Sequence, residues 1–261
     1  LVGATSFSLE TIQTWLPSRV PSNLDLACNT LGGLLGALWA QHVGPRVFNR
    51  ISHLQHQLIA PVPHAELGLT LLGLWLLVPL SPETLLFGAG DLRQTLGLMG
   101  AVPFAAESFV LIEASITAFN TIAVGLILRW LIVRTRWAYF LVPLFLLLGL
   151  AVRTLATVIL IGPQDALSWM TPGAELGLAL GLLILALALP LPATARLVLA
   201  GMARMAGTVL VNLAPPNPYS QAALTAWRQG HFLNFNGLTR LVATLWPFLT
   251  LPFLLLTTRR T

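Results

Sequence analysis

The stretch AAESFVLIEASITAFNTIAVGLIL, residues 105–128, runs for more than twenty residues with only two charged side chains, Glu107 and Glu113. About 20 predominantly apolar residues are needed for a helix to cross a bilayer. Apolar and polar residues do not alternate along this stretch as they do in a half-buried strand, and an open sheet edge cannot lie in lipid. The stretch therefore predicts a transmembrane helix.

The rest of the chain repeats this pattern. Of its 261 residues, 56% are hydrophobic and 9% are charged, whereas a soluble domain carries about a quarter charged residues. The sequence predicts an all-α, polytopic membrane helix bundle of about seven to eight transmembrane segments. The apolar segments are approximately Leu1–Leu16, Leu24–Ala40, Leu67–Leu80, Ala105–Leu128, Ala138–Ile161, Ala174–Leu189, Leu197–Leu213 and Leu238–Leu256. Because the chain opens with LVGATSFSLE, without Met or a basic leader, we expect the first segment to be truncated.

The loop arginines predict the orientation of the segments. All 14 basic residues are arginines, and they lie scattered between apolar segments rather than along a stripe that nucleic acid could follow. Two arginines follow the second segment, three follow the fourth, one follows the sixth and two lie at the C-terminus, whereas the other connections carry one or none. Because cytoplasmic loops carry the excess of arginine, we expect a bacterial inner-membrane protein with a cytoplasmic C-terminus and an extracytoplasmic turn around residues 17–22. If segment 197–213 lies in the interface instead of crossing, the C-terminus is outside.

Three regions are predicted. Residues 1–41 form one helical unit, residues 42–63 a cytoplasmic interfacial helix or linker, and residues 64–261 a further transmembrane helix bundle. In the middle region, Val47, Ile51, Leu54 and Leu58 follow helical spacing with polar residues on the other side, as in an interfacial helix. The two histidines of this helix, at positions 53 and 56, have no third ligand nearby, so the pattern favours a solvated face over a metal site.

Residues 9–37, LETIQTWLPSRVPSNLDLACNTLGGLLGA, gather polar groups on two helices joined by a short turn. On a helix, Asp25, Asn29, Gly32 and Gly36 share one stripe, and the two glycines have the spacing at which membrane helices approach closely. We therefore expect the first segment to pack on these glycines. The predicted ligand-binding residues of the resulting outward pocket are Glu10, Gln13, Arg19, Asp25 and Asn29.

A purely structural interpretation of these residues remains open. The sequence SNLD, residues 22–25, is a capping box, so Asp25 can act as a helix cap alone. Glu10 and Arg19 can simply neutralise each other. Taken together, however, five polar groups on one membrane helix pair are costly to bury, and such groups usually mark a functional site.

The spacing E-x-x-Q, then P-x-R, then D-x-x-x-N-x-x-G-x-x-x-G resembles that of the VanZ-like family, named for an accessory teicoplanin-resistance membrane protein. The positions that carry the resemblance are Glu10, Gln13, Pro17, Arg19, Asp25, Asn29, Gly32 and Gly36. The resemblance covers residues 10–36. It implies an integral membrane protein linked in some members to glycopeptide tolerance, and it implies no particular reaction.

Two further patterns lie beyond residue 60. Glu113 and Arg153 are each about eight residues inside the outer ends of their segments, at roughly 12 Å depth. Because single charges are costly in lipid, we expect a buried ion pair between them. Gly173, Gly177 and Gly181 recur every four residues, which indicates either helix packing or a second copy of the first helical unit.

Three functions remain open from the sequence. The first is an accessory membrane protein that recognises an anionic cell-envelope ligand, such as a lipid-linked cell-wall precursor, a phospholipid headgroup or a glycopeptide-related molecule. The second is an enzyme acting on a lipid-linked substrate, with Glu10 or Asp25 as general base. The third is a small-molecule transporter. We expect membrane lipids as partners, and no nucleic acid, cofactor or metal; the pattern identifies no catalytic set.

Overall fold

The computed structural model describes residues 2–13, 23–81, 84–93, 103–215, 217–218 and 236–258. Across these residues the chain is helical, without a strand beyond an isolated bridge between Ile59 and Ile132, which confirms the predicted all-α class. Two short 3₁₀ turns, Val78–Leu80 and Pro163–Asp165, accompany the α-helices. The helices are α1 (Val2–Gln13), α2 (Asn23–Leu58), α3 (Ala65–Trp75), α4 (Ala106–Leu131), α5 (Thr135–Leu160), α6 (Pro172–Ala188), α7 (Ala193–Leu213) and α8 (Asn236–Thr258).

Four helices of the described residues are long and apolar enough to cross a membrane: α4, α5, α7 and α8. They indicate a membrane protein, but they do not confirm the predicted count of seven to eight spans. Two further apolar helices are short, since α6 has 17 residues and α3 has 11, and at 1.5 Å per residue neither reaches the roughly 30 Å of the hydrocarbon core. The long helix α2 is not among the four because polar residues such as Asp25 and Asn29 interrupt its apolar run.

The chain divides into two compact units, Leu1–Gln57 and Leu58–Thr261. This division differs from the predicted boundary between residues 41 and 42, which falls inside α2. The predicted second transmembrane segment and the predicted interfacial helix are one continuous helix of 36 residues that accommodates Pro45 in its interior. A proline removes one backbone hydrogen bond of a helix, and this one does not divide α2.

In the larger unit, α4 is the central helix and is buried on most of its surface. Helix α6 packs against it through glycines: a Cβ atom at Gly177 would lie 2.7 Å from Cβ of Thr117, and one at Gly181 would lie 3.0 Å from Cα of Ala118. The glycines that recur every four residues therefore allow close helix packing, one of the two interpretations given above. On the other side, Gly207 of α7 faces Asn120.

Aromatic residues join the other helices of this unit. The ring of Trp75 in α3 lies 4.9 Å from Phe87 and 5.4 Å from Phe145 of α5, measured between centroids. Trp246 of α8 is fully buried, and its indole N–H donates to the carbonyl oxygen of Leu71 at 2.7 Å. By contrast, α5 exposes a face of leucines, including Leu144, Leu147, Leu148 and Leu155. Such a face suits lipid contact rather than a protein core.

Candidate functional site

The smaller unit brings α1 and α2 together through polar groups. The side-chain amide of Asn29 donates to the hydroxyl oxygen of Ser6 at 3.0 Å. One turn away, a Cβ atom at Gly3 would lie 3.4 Å from the hydroxyl oxygen of Thr30. The two contacts run in opposite directions along the chain, so the helices are antiparallel. Asn29, a predicted ligand-binding residue, thus faces α1 as the sequence indicated.

The other predicted ligand-binding residues are only partly described. Glu10 and Gln13 lie in α1 and Asp25 lies in α2, but their side chains are outside the described part of the structure. Arg19 lies outside the described residues altogether. The antiparallel register set by Ser6 and Asn29 places positions 10 and 25 level with each other, one turn further along each helix. Because the side chains of Glu10, Gln13, Arg19 and Asp25 are not described, the assignment of these residues to a pocket stays a prediction.

No heavy atom of the described residues lies within 4 Å of where a Cβ atom would sit at Gly32 or Gly36 of α2. Packing at these two glycines, which share the polar stripe with Asn29, stays a prediction.

The structure does not bring Glu113 and Arg153 together in the predicted ion pair. Instead, the carboxylate of Glu113 accepts a hydrogen bond from the hydroxyl of Thr171 at 2.7 Å. The guanidinium of Arg153 donates to the backbone carbonyl oxygens of Ser81 and Thr84, the latter at 2.7 Å. Both side chains are buried. Glu113 thus bonds to a neutral hydroxyl, and Arg153 binds backbone carbonyls that lie outside the helices.

Thr84 begins a segment of the larger unit that we call the buried segment, defined as residues 84–93. Its residues Leu86–Gly90 are buried but not helical, and the backbone takes positive φ at Phe87 (59°) and Gly90 (89°). Non-helical backbone at membrane depth is tolerated only where protein or an aqueous cavity satisfies its polar groups. Here Thr117 donates to Leu86 O, and the backbone N–H of Gly90 donates to Ala243 O at 2.8 Å.

Helix α7 supplies the remaining partners through a polar stripe, defined as Arg204, Thr208 and Asn212. These residues are spaced four apart and therefore share one face of the helix. The amide of Asn212 donates to Gly90 O at 2.7 Å and accepts from the backbone N–H of Leu92 at 2.9 Å. Arg204 donates to Ala89 O and to the hydroxyl oxygen of Thr208, both at 3.3 Å. The polar stripe thus runs alongside the buried segment.

A charged pair lies at the end of the buried segment, beside the C-terminal end of α7. The guanidinium of Arg93 binds the carboxylate of Asp91 at 2.6 Å, with side chains 17% and 33% exposed respectively. Arg93 also donates to the carbonyl oxygen of Ala214 at 2.5 Å, just beyond the end of α7. The polar stripe therefore leads from a partly exposed ion pair at one end of α7 to a fully buried arginine in the middle of that helix.

The sequence did not predict the contact between the buried segment and the polar stripe of α7. No role was predicted for Arg204 or Asn212. A signal was present: LLFGAGDLR, residues 85–93, places two glycines and two charges after a short apolar helix. In the described residues no group of three or more His, Cys, Asp or Glu side chains could hold a metal ion.

Comparison of the chain with protein-family models, with curated proteins and with solved structures gave no match. The resemblance of residues 10–36 to the VanZ-like family therefore stays a prediction that rests on those residues alone.

Proposed function

We propose that this chain is a multi-pass protein of the bacterial inner membrane, of VanZ-like type, that recognises an anionic cell-envelope ligand between α1 and α2. The hydrogen bond between Ser6 and Asn29 carries the proposal, because it shows polar groups of the two helices meeting on the polar stripe of α2. The ligand class is a phosphate-bearing lipid, either a lipid-linked cell-wall precursor or a phospholipid headgroup.

Each residue of the pocket has a chemical role in this proposal. Arg19 binds the anionic group, because a guanidinium offers five N–H donors in a planar fork that matches phosphate geometry. Gln13 and Asn29 orient the ligand through their amides. Glu10 and Asp25 accept hydrogen bonds from hydroxyl or amide groups of the ligand and disfavour a ligand that presents an anion at their position.

The orientation proposed for this pocket follows from the loop arginines. The turn between α1 and α2 carries Arg19, whereas the loop between α4 and α5 carries Arg134 and Arg136. By the positive-inside rule the loop between α4 and α5 is cytoplasmic, and we place the turn between α1 and α2, which carries a single arginine, on the outside. An extracytoplasmic pocket suits a ligand of the outer leaflet.

The experiment measures lipid binding to the full chain in detergent by native mass spectrometry, with equal parts of phosphatidylglycerol and phosphatidylcholine as the probe. The wild-type chain should retain phosphatidylglycerol preferentially. Arg19→Gln should weaken that binding about tenfold or more, since a hydrogen bond to a charged group contributes about 1.5–3 kcal/mol. Arg134→Gln, an exposed arginine of the opposite predicted side, is the matched control. Equal retention of both lipids by the wild-type chain, or equal losses in the two variants, would contradict the proposal.

A small-molecule transporter is the second candidate, favoured by the buried segment 84–93. Interrupted helices with non-helical backbone among the spans are a recurring feature of transporter binding sites. A transporter exposes such a segment alternately to both sides of the membrane. In a cysteine-free background, Ala89→Cys should then react with impermeant reagents added from either side, whereas a purely structural segment would leave it unlabelled from both.

A further inference from the structure

Arg204 is a fully buried cation near the middle of α7, with an exposed fraction of 0%. Its Nη2 atom donates to Ala89 O and to the Thr208 hydroxyl. Its Nε and Nη1 atoms have no hydrogen-bond partner in the described part of the chain. Since Nε carries one N–H and Nη1 carries two, three of the five guanidinium donors are unsatisfied. Buried polar groups are almost always hydrogen-bonded, so these donors indicate an acceptor.

The acceptor that would compensate this charge is an anion. Within the described residues, the ion pair that the structure contains is Asp91–Arg93, so no carboxylate there neutralises Arg204. Leaving a buried charge without a counter-charge is costly, whereas neutral carbonyl and hydroxyl oxygens supply only partial compensation. The indole of Trp246 lies 5.2 Å from the guanidinium carbon and covers one face of it, which leaves the edges carrying Nε and Nη1 for a ligand.

The surroundings restrict the size and hydration of that anion. A Cβ atom at Gly90 would lie 2.9 Å from side-chain atoms of both Pro247 and Thr208, so the backbone is tightly packed one residue from the Ala89 carbonyl that Arg204 binds. An apolar, closely packed site disfavours a multiply charged or strongly hydrated ion because its desolvation is expensive. These features suit a monatomic or similarly small monovalent anion, and they exclude a lipid headgroup without rearrangement.

The polar stripe supplies a route to the site. From Arg204 to the end of α7 the helix rises by about 13 to 14 Å, and the stripe continues along this stretch through Thr208 and Asn212. At the far end stands the partly exposed Asp91–Arg93 pair. This partly exposed end is where an anion would enter, and the hydroxyl and amide groups of the stripe would replace its water during passage.

We propose that Arg204, Trp246 and the backbone at Ala89 and Gly90 form a binding site for a small, weakly hydrated monovalent anion of the halide class. The anion accepts hydrogen bonds from Nε–H and Nη1–H and neutralises the guanidinium. This site is separate from the proposed lipid pocket between α1 and α2, and neither depends on the other.

The test uses the full chain in detergent, titrated with sodium iodide in place of sodium gluconate at constant ionic strength. Iodide quenches tryptophan fluorescence on contact. Iodide bound beside Arg204 should therefore quench Trp246 saturably, above the linear collisional quenching from the other tryptophans among the eight in the chain. Because a ligand that binds only the folded state stabilises it, iodide should also raise the Tm with the same half-saturation concentration.

Variants assign the response to the site. Arg204→Met should abolish both the saturable quenching and the Tm rise, whereas Arg196→Met, a second buried arginine of α7, should keep both. Trp246→Phe should lose the saturable quenching, because it removes the indole that the bound iodide contacts. Arg204→Lys retains the charge with fewer donors, and the loss of one charged hydrogen bond should weaken binding about tenfold. The last two variants keep the test decisive if Arg204→Met does not fold.

Several results would overturn the proposal. A saturable iodide response that persists in folded Arg204→Met would place the anion elsewhere. The absence of any saturable response in the wild-type chain would show that water satisfies the three donors. Tighter binding of inorganic phosphate or acetate than of iodide, in the same Tm assay, would refute the assignment to the halide class.

Discussion

Replacing Gly177 by alanine tests the close packing of α6 on α4 directly. A Cβ atom at this position would contact the carbonyl oxygen of Ala114 and lie 2.9 Å from Cα of Ala114 and 2.7 Å from Cβ of Thr117. Ordinary contact begins at 3.4 Å, so the second distance is about 0.7 Å too short. Two of the three atoms belong to the backbone and cannot rotate away. The added methyl group must therefore move one helix from the other.

The expected magnitude follows from two opposing terms. Overpacking a well-packed core costs about 1–3 kcal/mol, and the contacts with backbone atoms place Gly177→Ala at the upper end. The exchange of glycine for alanine inside a helix stabilises it by about 1 kcal/mol. The variant should therefore lose about 2 kcal/mol of unfolding free energy. For a chain of this size, each kcal/mol corresponds to about 2–4 °C, so the Tm should fall by about 4–8 °C.

Gly201→Ala is the matched control, since no heavy atom of the described residues lies within 4 Å of a Cβ atom there. This variant gains the same stabilisation of the helix without overpacking, and its Tm should equal or exceed that of the wild-type chain. The assay is thermal unfolding of both purified variants in the same detergent, followed by circular dichroism. Equal Tm values for the two variants would refute the conclusion that α4 and α6 are held in backbone contact at this glycine.

Three further predictions concern the buried segment and the topology. Arg153→Gln should lower the free energy of unfolding by about 2–4 kcal/mol, because it weakens or removes the partner of two buried carbonyls; an unchanged Tm would contradict the observed contacts. Asn212→Leu leaves one buried donor and one buried acceptor unpaired, so it should lower the free energy of unfolding by about 2–4 kcal/mol in a urea titration. Asn120→Leu loses a bond only to its own helix and should lower that free energy less. Equal losses in the two variants would count against the role of Asn212. In a cysteine-free background, an impermeant reagent added to whole cells should label Ser18→Cys but not Ser52→Cys, and the reverse pattern would invert the proposed orientation.

The helical class and the position of most helices follow from the apolar runs of the sequence. The apolar run predicted at residues 105–128 is helix α4 at Ala106–Leu131, and the run predicted at 138–161 is α5 at Thr135–Leu160. Local interactions determine these helices, because in lipid a backbone must satisfy its own hydrogen bonds and a helix does so within one segment. The four-residue spacing of Gly173, Gly177 and Gly181 likewise indicated a packing face, which α4 occupies.

Within the first unit, the sequence indicated which residues face each other only in part. The polar stripe of α2 predicted that Asn29 would face α1, and the bond to Ser6 agrees. The same stripe predicts packing at Gly32 and Gly36, where no heavy atom of the described residues lies within 4 Å of a Cβ atom. The stripe defines a direction around the helix, whereas the level at which a neighbour makes contact depends on the register between two helices.

The partners of the buried polar residues depend on how the helices pack, which no local pattern in the sequence indicates. By depth alone Glu113 and Arg153 were expected to pair, yet Thr171 and the carbonyls of Ser81 and Thr84 are their partners. Depth along a helix can be counted in residues, but a hydrogen bond also needs the rotation of each helix about its axis. The choice of hydrogen-bond partner further depends on where non-helical backbone enters the bundle. The buried segment 84–93 brings carbonyl and amide groups that no helix satisfies, and nearby polar side chains become their hydrogen-bond partners. No periodicity in the sequence encodes that competition, and for this reason the site around Arg204 emerges only when the helices are packed together.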